Sequence, residues 1–227
     1  MNVEVRHSPS FAVARISLGG NEGVRTESGA MMATSAGVAA DAKMEGGLLK
    51  SLKRATMGGE SLFITTYTEP AAGGWVDVAA NLPGDIHIDT VKPDRPLNIS
   101  RGSWLCSAAT VDLDTKWGGF KNLAGGEGGF LVRAAGDGPV VLACYGALDT
   151  HHLGAGESLV VDTGHMVAYE EGVTVNLRQL SGGMIRSAKT GEYLVFEFTG
   201  PGTVQTQTRN PSALINWLTS TLPFQRG

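Results

Sequence analysis

The chain has 227 residues, 42% of them hydrophobic and only 18% charged, with a net charge of −4. That balance argues against disorder, which needs low hydrophobicity and high charge, and the net negative charge argues against the basic face that drives phosphate binding. Gly fills 32 positions, pointing to many short strands joined by tight turns, because Gly reaches the positive φ that such turns require.

In chain order, MNVEVRHSPS lacks the charged start and apolar stretch of a secretory signal, and no later run approaches the ~20 apolar residues of a membrane helix. Phe11 to Leu18 reads as a strand. A first unit then opens with Gly29-Ala-Met-Met-Ala33, passes a Gly46-Gly47 pair and Gly59-Glu60 before Phe63, and reaches Gly74-Trp-Val76. A second opens with Gly102-Ser-Trp-Leu-Cys106 and repeats the landmarks at Gly118-Gly119, Gly126-Glu127 before Phe130, and Gly138-Pro-Val140. A third opens with Gly164-His-Met-Val-Ala168 and continues through Gly182-Gly183, Gly191-Glu192 before Phe196, and Gly202-Thr-Val204. Landmarks recurring in the same order mark internal copies of one β unit. The expected organisation is a single all-β domain, 1–227, of three units at about 29–101, 102–163 and 164–227, with N-terminal strands 3–28 completing the last and closing the structure.

Within the units, Val76-Asp-Val-Ala79, Ile86-His-Ile-Asp89 and Val111-Asp-Leu-Asp114 alternate apolar and polar residues, predicting one buried and one wet face. Val140-Val-Leu-Ala-Cys144 and Tyr193-Leu-Val-Phe196 are apolar throughout and predict strands covered on both sides. The stretch from Gly47 to Lys53 reads as strand rather than a helical turn. Asn210-Pro211 is a helix start, with Leu214, Trp217 and Leu218 on one face and Pro223 as the stop. Cys106 and Cys144 lie in apolar strands and read as buried, reduced thiols.

Residues that carry chemistry are sparse. The segment from Gly156 to Gly164 resembles a cupin turn, yet a cupin's following metal-binding His position is occupied by Val167, and Pro83-Gly-Asp-Ile-His87 holds a single His. His151 and His152, near Asp149, Asp162 and His165, are adjacent strand residues pointing to opposite faces, a poor grip for zinc. Gly-x-Ser-x-Gly is absent, and Gly125 to Gly129 lacks the Lys-Ser/Thr of a phosphate loop. Lys50, Lys53 and Arg54 read as a solvated loop, and Glu170-Glu171 as a solvated turn. Trp75, Trp104, Trp117 and Trp217 read as core or subunit-interface residues before a sugar- or base-stacking surface. No catalytic, cofactor or metal residue is assigned, and no cofactor is expected.

Five separated segments together resemble a known family: Gly58-Gly-Glu-Ser-Leu-Phe63, Pro83-Gly-Asp-Ile86, Gly125-Gly-Glu-Gly-Gly-Phe130, Val161 to Ala168, and Gly200-Pro-Gly-Thr-Val-Gln-Thr-Gln207. They resemble the mitochondrial-biogenesis family named for altered inheritance of mitochondria, many of whose bacterial members have no known function. The resemblance implies a fold like that of the tryptophan-activated RNA-binding attenuation protein: short double-stranded β-helix units in a closed β sandwich or prism, here with a short C-terminal helix. It implies homo-oligomers and carries over no catalytic residues. The mitochondrial members bear on inner-membrane organisation, but this chain lacks a basic amphipathic start and reads as a bacterial-type, cytoplasmic member.

The function expected is a non-catalytic oligomeric scaffold or interaction protein with a protein or membrane-associated partner. Small-molecule or carbohydrate binding is the second reading. RNA binding, disfavoured by the pI of about 5.7, and a cupin-like metalloenzyme follow.

Overall fold

A computed structural model describes residues 1–44, 63–69, 73–117, 130–179 and 194–222. The glycine pairs at 46–47, 118–119 and 182–183, the Gly-Glu steps at 59–60, 126–127 and 191–192, the 125–129 glycines, the Gly47–Lys53 stretch and the Lys50, Lys53, Arg54 cluster lie outside the described residues.

The chain is all-β with one short helix. β1 (Asn2–Arg6) and β2 (Val13–Leu18) lead into β3 (Gly23–Glu27), β4 (Met31–Thr34), β5 (Ala39–Met44), β6 (Phe63–Thr68) and β7 (Gly74–Ala79). β8 (Ile86–Val91), β9 (Leu97–Ser100), β10 (Trp104–Ala108), β11 (Val111–Trp117), β12 (Phe130–Gly136) and β13 (Gly138–Ala143) follow. β14 (Leu148–Leu153), β15 (Ser158–Asp162), β16 (Met166–Glu170), β17 (Thr174–Gln179), β18 (Leu194–Thr199) and β19 (Gly202–Gln207) precede α1 (Pro211–Thr221).

Every pairing between these strands is antiparallel. The strand orders are β1-β2-β7-β4, β5-β6-β3-β10-β13-β8, β11-β12-β9-β16-β19-β14 and β15-β18-β17. Each strand of the second six-stranded sheet stands six strands later in the chain than its counterpart in the first. The pattern resolves into three successive groups, β2–β7, β8–β13 and β14–β19, each contributing two three-stranded halves. The second half of each of the first two groups is welded to the next group. β3 pairs with β10, setting Thr26 opposite Cys106, and β9 pairs with β16, setting Ile99 opposite Ala168.

Two sequence expectations are corrected by this pairing. The N-terminal strands complete the first group and not the last: β2 lies against β7, with Ile16 opposite Val76. The reason is local, since β2 stands before β3 as β8 stands before β9, and each such strand pairs with the fifth strand that follows it. The expected closure is also absent among the described residues, because β4 and β15 end separate sheets.

Alternation holds where one face meets water. On β2, Ala14, Ile16 and Leu18 are buried while Arg15 and Ser17 point away, and on β11 Val111 is buried while Asp112 and Asp114 are exposed. It fails at two places. Asp77 of β7 is 2% exposed, and on β8 Asp89 is buried while Ile88 is exposed. Period-2 patterning cannot report these, because a charged residue can be buried when the fold brings it a partner. β13 is buried from Val140 to Ala143, as its continuous apolar run required, and Cys106 and Cys144 are buried free thiols. Trp104 is fully buried at the centre of a core formed with Val91, Leu97, Ile99, Val140 and Leu142.

The Gly-x-Val step has a structural cause in the second and third groups. Gly138 and Gly202 adopt φ of 151° and 141°, in a region nearly closed to other residues. A Cβ on Gly202 would sit 2.6 Å from Val173 Cγ2. Gly202→Ala is therefore expected to destabilise the protein by roughly 2–3 kcal/mol, measured as a lowered urea midpoint with an unchanged slope.

Candidate interaction surface

The polar groups that the fold gathers are tied into junctions. Asp77 receives Arg15 Nε and Nη2 at 2.8 Å each and Arg6 Nη2 at 2.8 Å, so its carboxylate clamps β7 to both N-terminal strands. The Arg15 guanidinium also lies 3.9 Å over the Trp75 ring, a cation–π contact. Hydrogen bonding from Arg15 and the charges of Arg15 and Arg6 outweigh burial and hold Asp77 below the usual carboxylate range.

A second cluster joins the second and third groups. Arg95, in the β8–β9 connection, donates Nε to Glu170 at 2.6 Å and Nη2 to Asp89 at 3.1 Å. Gln205 Nε2 donates to Asp89 at 3.2 Å, and the Thr203 backbone N–H donates to Glu170 at 3.2 Å. Burial pushes Glu170 up, but its bonds with Arg95 and Thr203 and the Arg95 charge together leave it below the ordinary glutamate range. Glu171 accepts two hydrogen bonds from Arg133, at 2.8 and 2.7 Å. The Glu170-Glu171 pair, expected to be a merely solvated turn, is thus held by two arginines. No sequence signal could have matched these partners, since Arg95 and Glu170 are 75 residues apart.

The histidines serve separate strands. His151 Nε2 lies 3.1 Å from Thr206 Oγ1 and His152 Nδ1 lies 3.3 Å from Thr203 Oγ1. His165 Nδ1 lies 2.7 Å from the Gln207 carbonyl, and Asp162 Oδ1 accepts the Gly164 N–H at 2.9 Å. The cupin-like segment is β15 between two turns, and Val167 is fully buried in the core. Among the described residues, no three His, Cys, Asp or Glu side chains converge as metal ligands. Burial raises both thiols, Cys144 to about 11 and Cys106 further still, a property of unreactive core cysteines.

Exposed apolar side chains mark the surface instead. Met31 and Met32 on β4 are 41% and 55% exposed, and Val160 on β15 is 44% exposed. α1 forms where the cap signal placed it, with Asn210 Oδ1 accepting the Ser212 N–H at 2.9 Å and Pro211 at its first position. It buries none of its residues: Trp217 is 60% exposed and Ile215 and Leu222 also face solvent. Of the other tryptophans, Trp104 is core and Trp75 half-buried, while the Trp117 side chain lies outside the described residues.

The fold is thus an all-β arrangement of antiparallel sheets followed at its C-terminal end by one short helix. The chain matches the family described as Mitochondrial biogenesis AIM24 over residues 3–209 and belongs to that family. It is 25% identical over 232 aligned positions to an uncharacterized protein, M6_Spy0233, of Streptococcus pyogenes serotype M6, covering 98% of this chain and 92% of that one. Its fold is similar to the crystal structure of protein SPYM3_0169 from Streptococcus pyogenes, with a TM-score of 0.80, 23% identity, and 97% and 99% of the two chains covered.

The ion pairs set the acid limit of stability. A carboxylate held below its unfolded value stabilises the fold fully above the unfolded value, and that contribution disappears as pH falls through the folded value. Stability is expected to be flat above about pH 5 and to fall below about pH 4. Asp77→Asn should flatten part of that decline and cost roughly 1–3 kcal/mol at pH 7, the lower end reflecting arginines that are about a third exposed. Denaturant melts of both proteins across pH 2–7 measure this.

Proposed function

We propose that this protein is a non-catalytic, homo-oligomeric scaffold of the cytoplasm, a row of three copies of one β unit that presents apolar elements to other copies and to a protein or membrane-associated partner. The observation that carries the reading is where six of the eight exposed large apolar side chains among the described residues stand. Phe11 before β2 and Ile88 on β8 are the other two. Met31, Met32 and Val160 lie on sheet edges, and Ile215, Trp217 and Leu222 on or beside a helix that half-buries Leu214 and Leu218 and fully buries no residue. Single exposed apolar residues are ordinary, but grouping on unpartnered elements marks contact surfaces.

The chemistry of the titratable groups supports the same reading. Asp77, Asp89, Glu170 and Glu171 are each engaged by arginines across strands or groups, which holds the frame together. The cysteines have thiols raised by burial, which suits packing and not nucleophilic attack. The acidic balance of the chain directs it toward protein surfaces over nucleic acid.

Light scattering coupled to size exclusion tests this directly. The expected mass is an integer multiple, two or greater, of the 23.7 kDa chain. A mass of one chain across micromolar concentrations overturns the oligomeric reading.

A further inference from the structure

The two bare edges belong to one joint that the chain already makes twice. In each internal junction, the first strand of one half, β3 or β9, pairs antiparallel with a strand of the next group, β10 or β16. β15 is the counterpart of β3 and β9, since Val161 stands opposite Phe196 of β18 as Ile99 stands opposite Val132 of β12. β4 is the counterpart of β10 and β16. Ala33 faces Asp77 just past a register shift, as Cys106 faces Val141 and Ala168 faces Gln205 past theirs. Among the described residues β15 pairs on one side only, with β18, and β4 on one side only, with β7.

We infer that β15 of one copy of this chain pairs antiparallel with β4 of a second copy, setting Val161 opposite Ala33 and Val160 opposite Thr34, so that the copies assemble head to tail. This rests on the oligomeric reading above and names its joint.

Three observations carry it. First, exposure follows pairing. Trp104, Leu105 and Cys106 of β10 are at most 1% exposed, and Met166, Val167 and Ala168 of β16 at most 5%. The matching Met31 and Met32 of the unpaired β4 are the exposed ones.

Second, the cores are unequal. The first group's core takes in Leu105 and Cys106 from the next group, and the second's takes in Val167 and Ala168. Among the described residues the third group's core, built on Val161, Phe196, Phe198 and Val204, receives no such strand. Met32 and Ala33 of another copy are what the pattern supplies there.

Third, the other bare edges are defended and these are not. Long edge strands are usually blunted by charge or proline. The edge strands β1, β5, β8, β11, β14 and β17 all carry charged or histidine residues within their lengths, as in Glu4, Asp41, His87 and Asp89, Asp112 and Asp114, Asp149, and Arg178. β4 is Met-Met-Ala-Thr, and β15 is Ser-Leu-Val-Val with its one charge, Asp162, at the end.

A joint between unlike surfaces gives a ring or an open row, the smallest ring being a pair of copies that exchange both joints. Two edge-blocking substitutions test this. Leu159→Lys disables β15 and leaves β4, because its counterparts Val24 and Leu97 are at most 2% exposed in the closed junctions. Met32→Lys disables β4 and leaves β15. Leu159 is half-buried and Met32 exposed in the single chain, so the fold is checked by circular dichroism.

Each variant alone is expected to run as the single 23.7 kDa chain, and an equimolar mixture as a two-chain species. Variants that keep the wild-type mass overturn the β4–β15 joint while leaving the oligomeric reading intact. A wild-type protein of one chain removes both. As a second readout, oxidised Thr34→Cys/Val160→Cys is expected to give chain-to-chain disulfide multimers on a non-reducing gel. A disulfide within one chain, or none, overturns the pairing between copies. Cys106 and Cys144, both buried, serve as the internal control in the unsubstituted protein.

Discussion

An antiparallel strand must spend both rows of its backbone hydrogen bonds, and the whole molecule follows from where the second row goes. In an isolated three-stranded half the first strand would leave N–H and C=O groups bare along its outer side, a costly and aggregation-prone state. The chain solves this for the first two groups by lending that half a strand from the next group. β3 takes β10 and β9 takes β16, and the same step sends Leu105 and Val167 into the preceding core. Hydrogen bonding and apolar burial are thus satisfied by one contact, so neither sheet nor core is complete within a single group.

Polar residues are fitted to this frame differently in each group. The position opposite Ala33, Cys106 and Ala168 is Asp77, Val141 and Gln205 in turn. All three are buried. Val141 needs nothing more. Asp77 requires Arg6 and Arg15, which only the N-terminal strands can bring. Gln205 reaches Asp89 across the second junction with its amide nitrogen. Where the apolar solution is absent, the charge chosen binds a group to something outside itself: Asp77 secures β1 and β2, and Asp89 with Arg95 and Glu170 secures the third group to the second. These pairs add little net stability over an apolar filling, but removing one partner strands a buried charge. Their value is in fixing which strand lies where.

The openings of β4, β10 and β16 were readable from the sequence, whereas units starting at 29, 102 and 164 cut across the groups β2–β7, β8–β13 and β14–β19 that the strand pairing shows. Gly29-Ala-Met-Met-Ala33, Gly102-Ser-Trp-Leu-Cys106 and Gly164-His-Met-Val-Ala168 are the same opening that the strand pairing shows at β4, β10 and β16, and Asn210-Pro211 announced α1. The all-β class and the buried run at Val140 came from composition and patterning alone. Register was not readable. Alternation said that Asp77 and Asp89 face away from their apolar neighbours, but whether that side meets water depends on Arg15, 62 residues distant, and Arg95. The same blindness put the N-terminal strands on the wrong group: Phe11 to Leu18 carries a strand pattern that fits any sheet, and only Arg15 meeting Asp77 selects β7. The two bare edges were invisible for a related reason. Met31-Met32 and Trp104-Leu105 look alike as sequence, and differ only in that one of them has a strand beside it.

That difference also bears on why methionine stands at the outer position. Trp104 and Leu105 fill sites whose walls are fixed in the same chain, where rigid shapes pack best. A site whose opposite wall arrives from elsewhere must tolerate an imperfect and renewable fit. Methionine, unbranched and polarisable, accommodates irregular gaps and changes rotamer at low cost. The third opening, Met166-Val167, combines the two cases: it faces a junction made within the chain and is closed, with Val167 fully buried. Met31-Met32 has the same chemistry without the closed wall. β1 meanwhile shields β2, at the opposite side of the same sheet, with Glu4 and Arg6 at its rim. A sheet that spends a whole charged strand on one edge and leaves uncharged methionines on the other treats its two edges differently, and the uncovered one is the edge whose counterparts are always occupied.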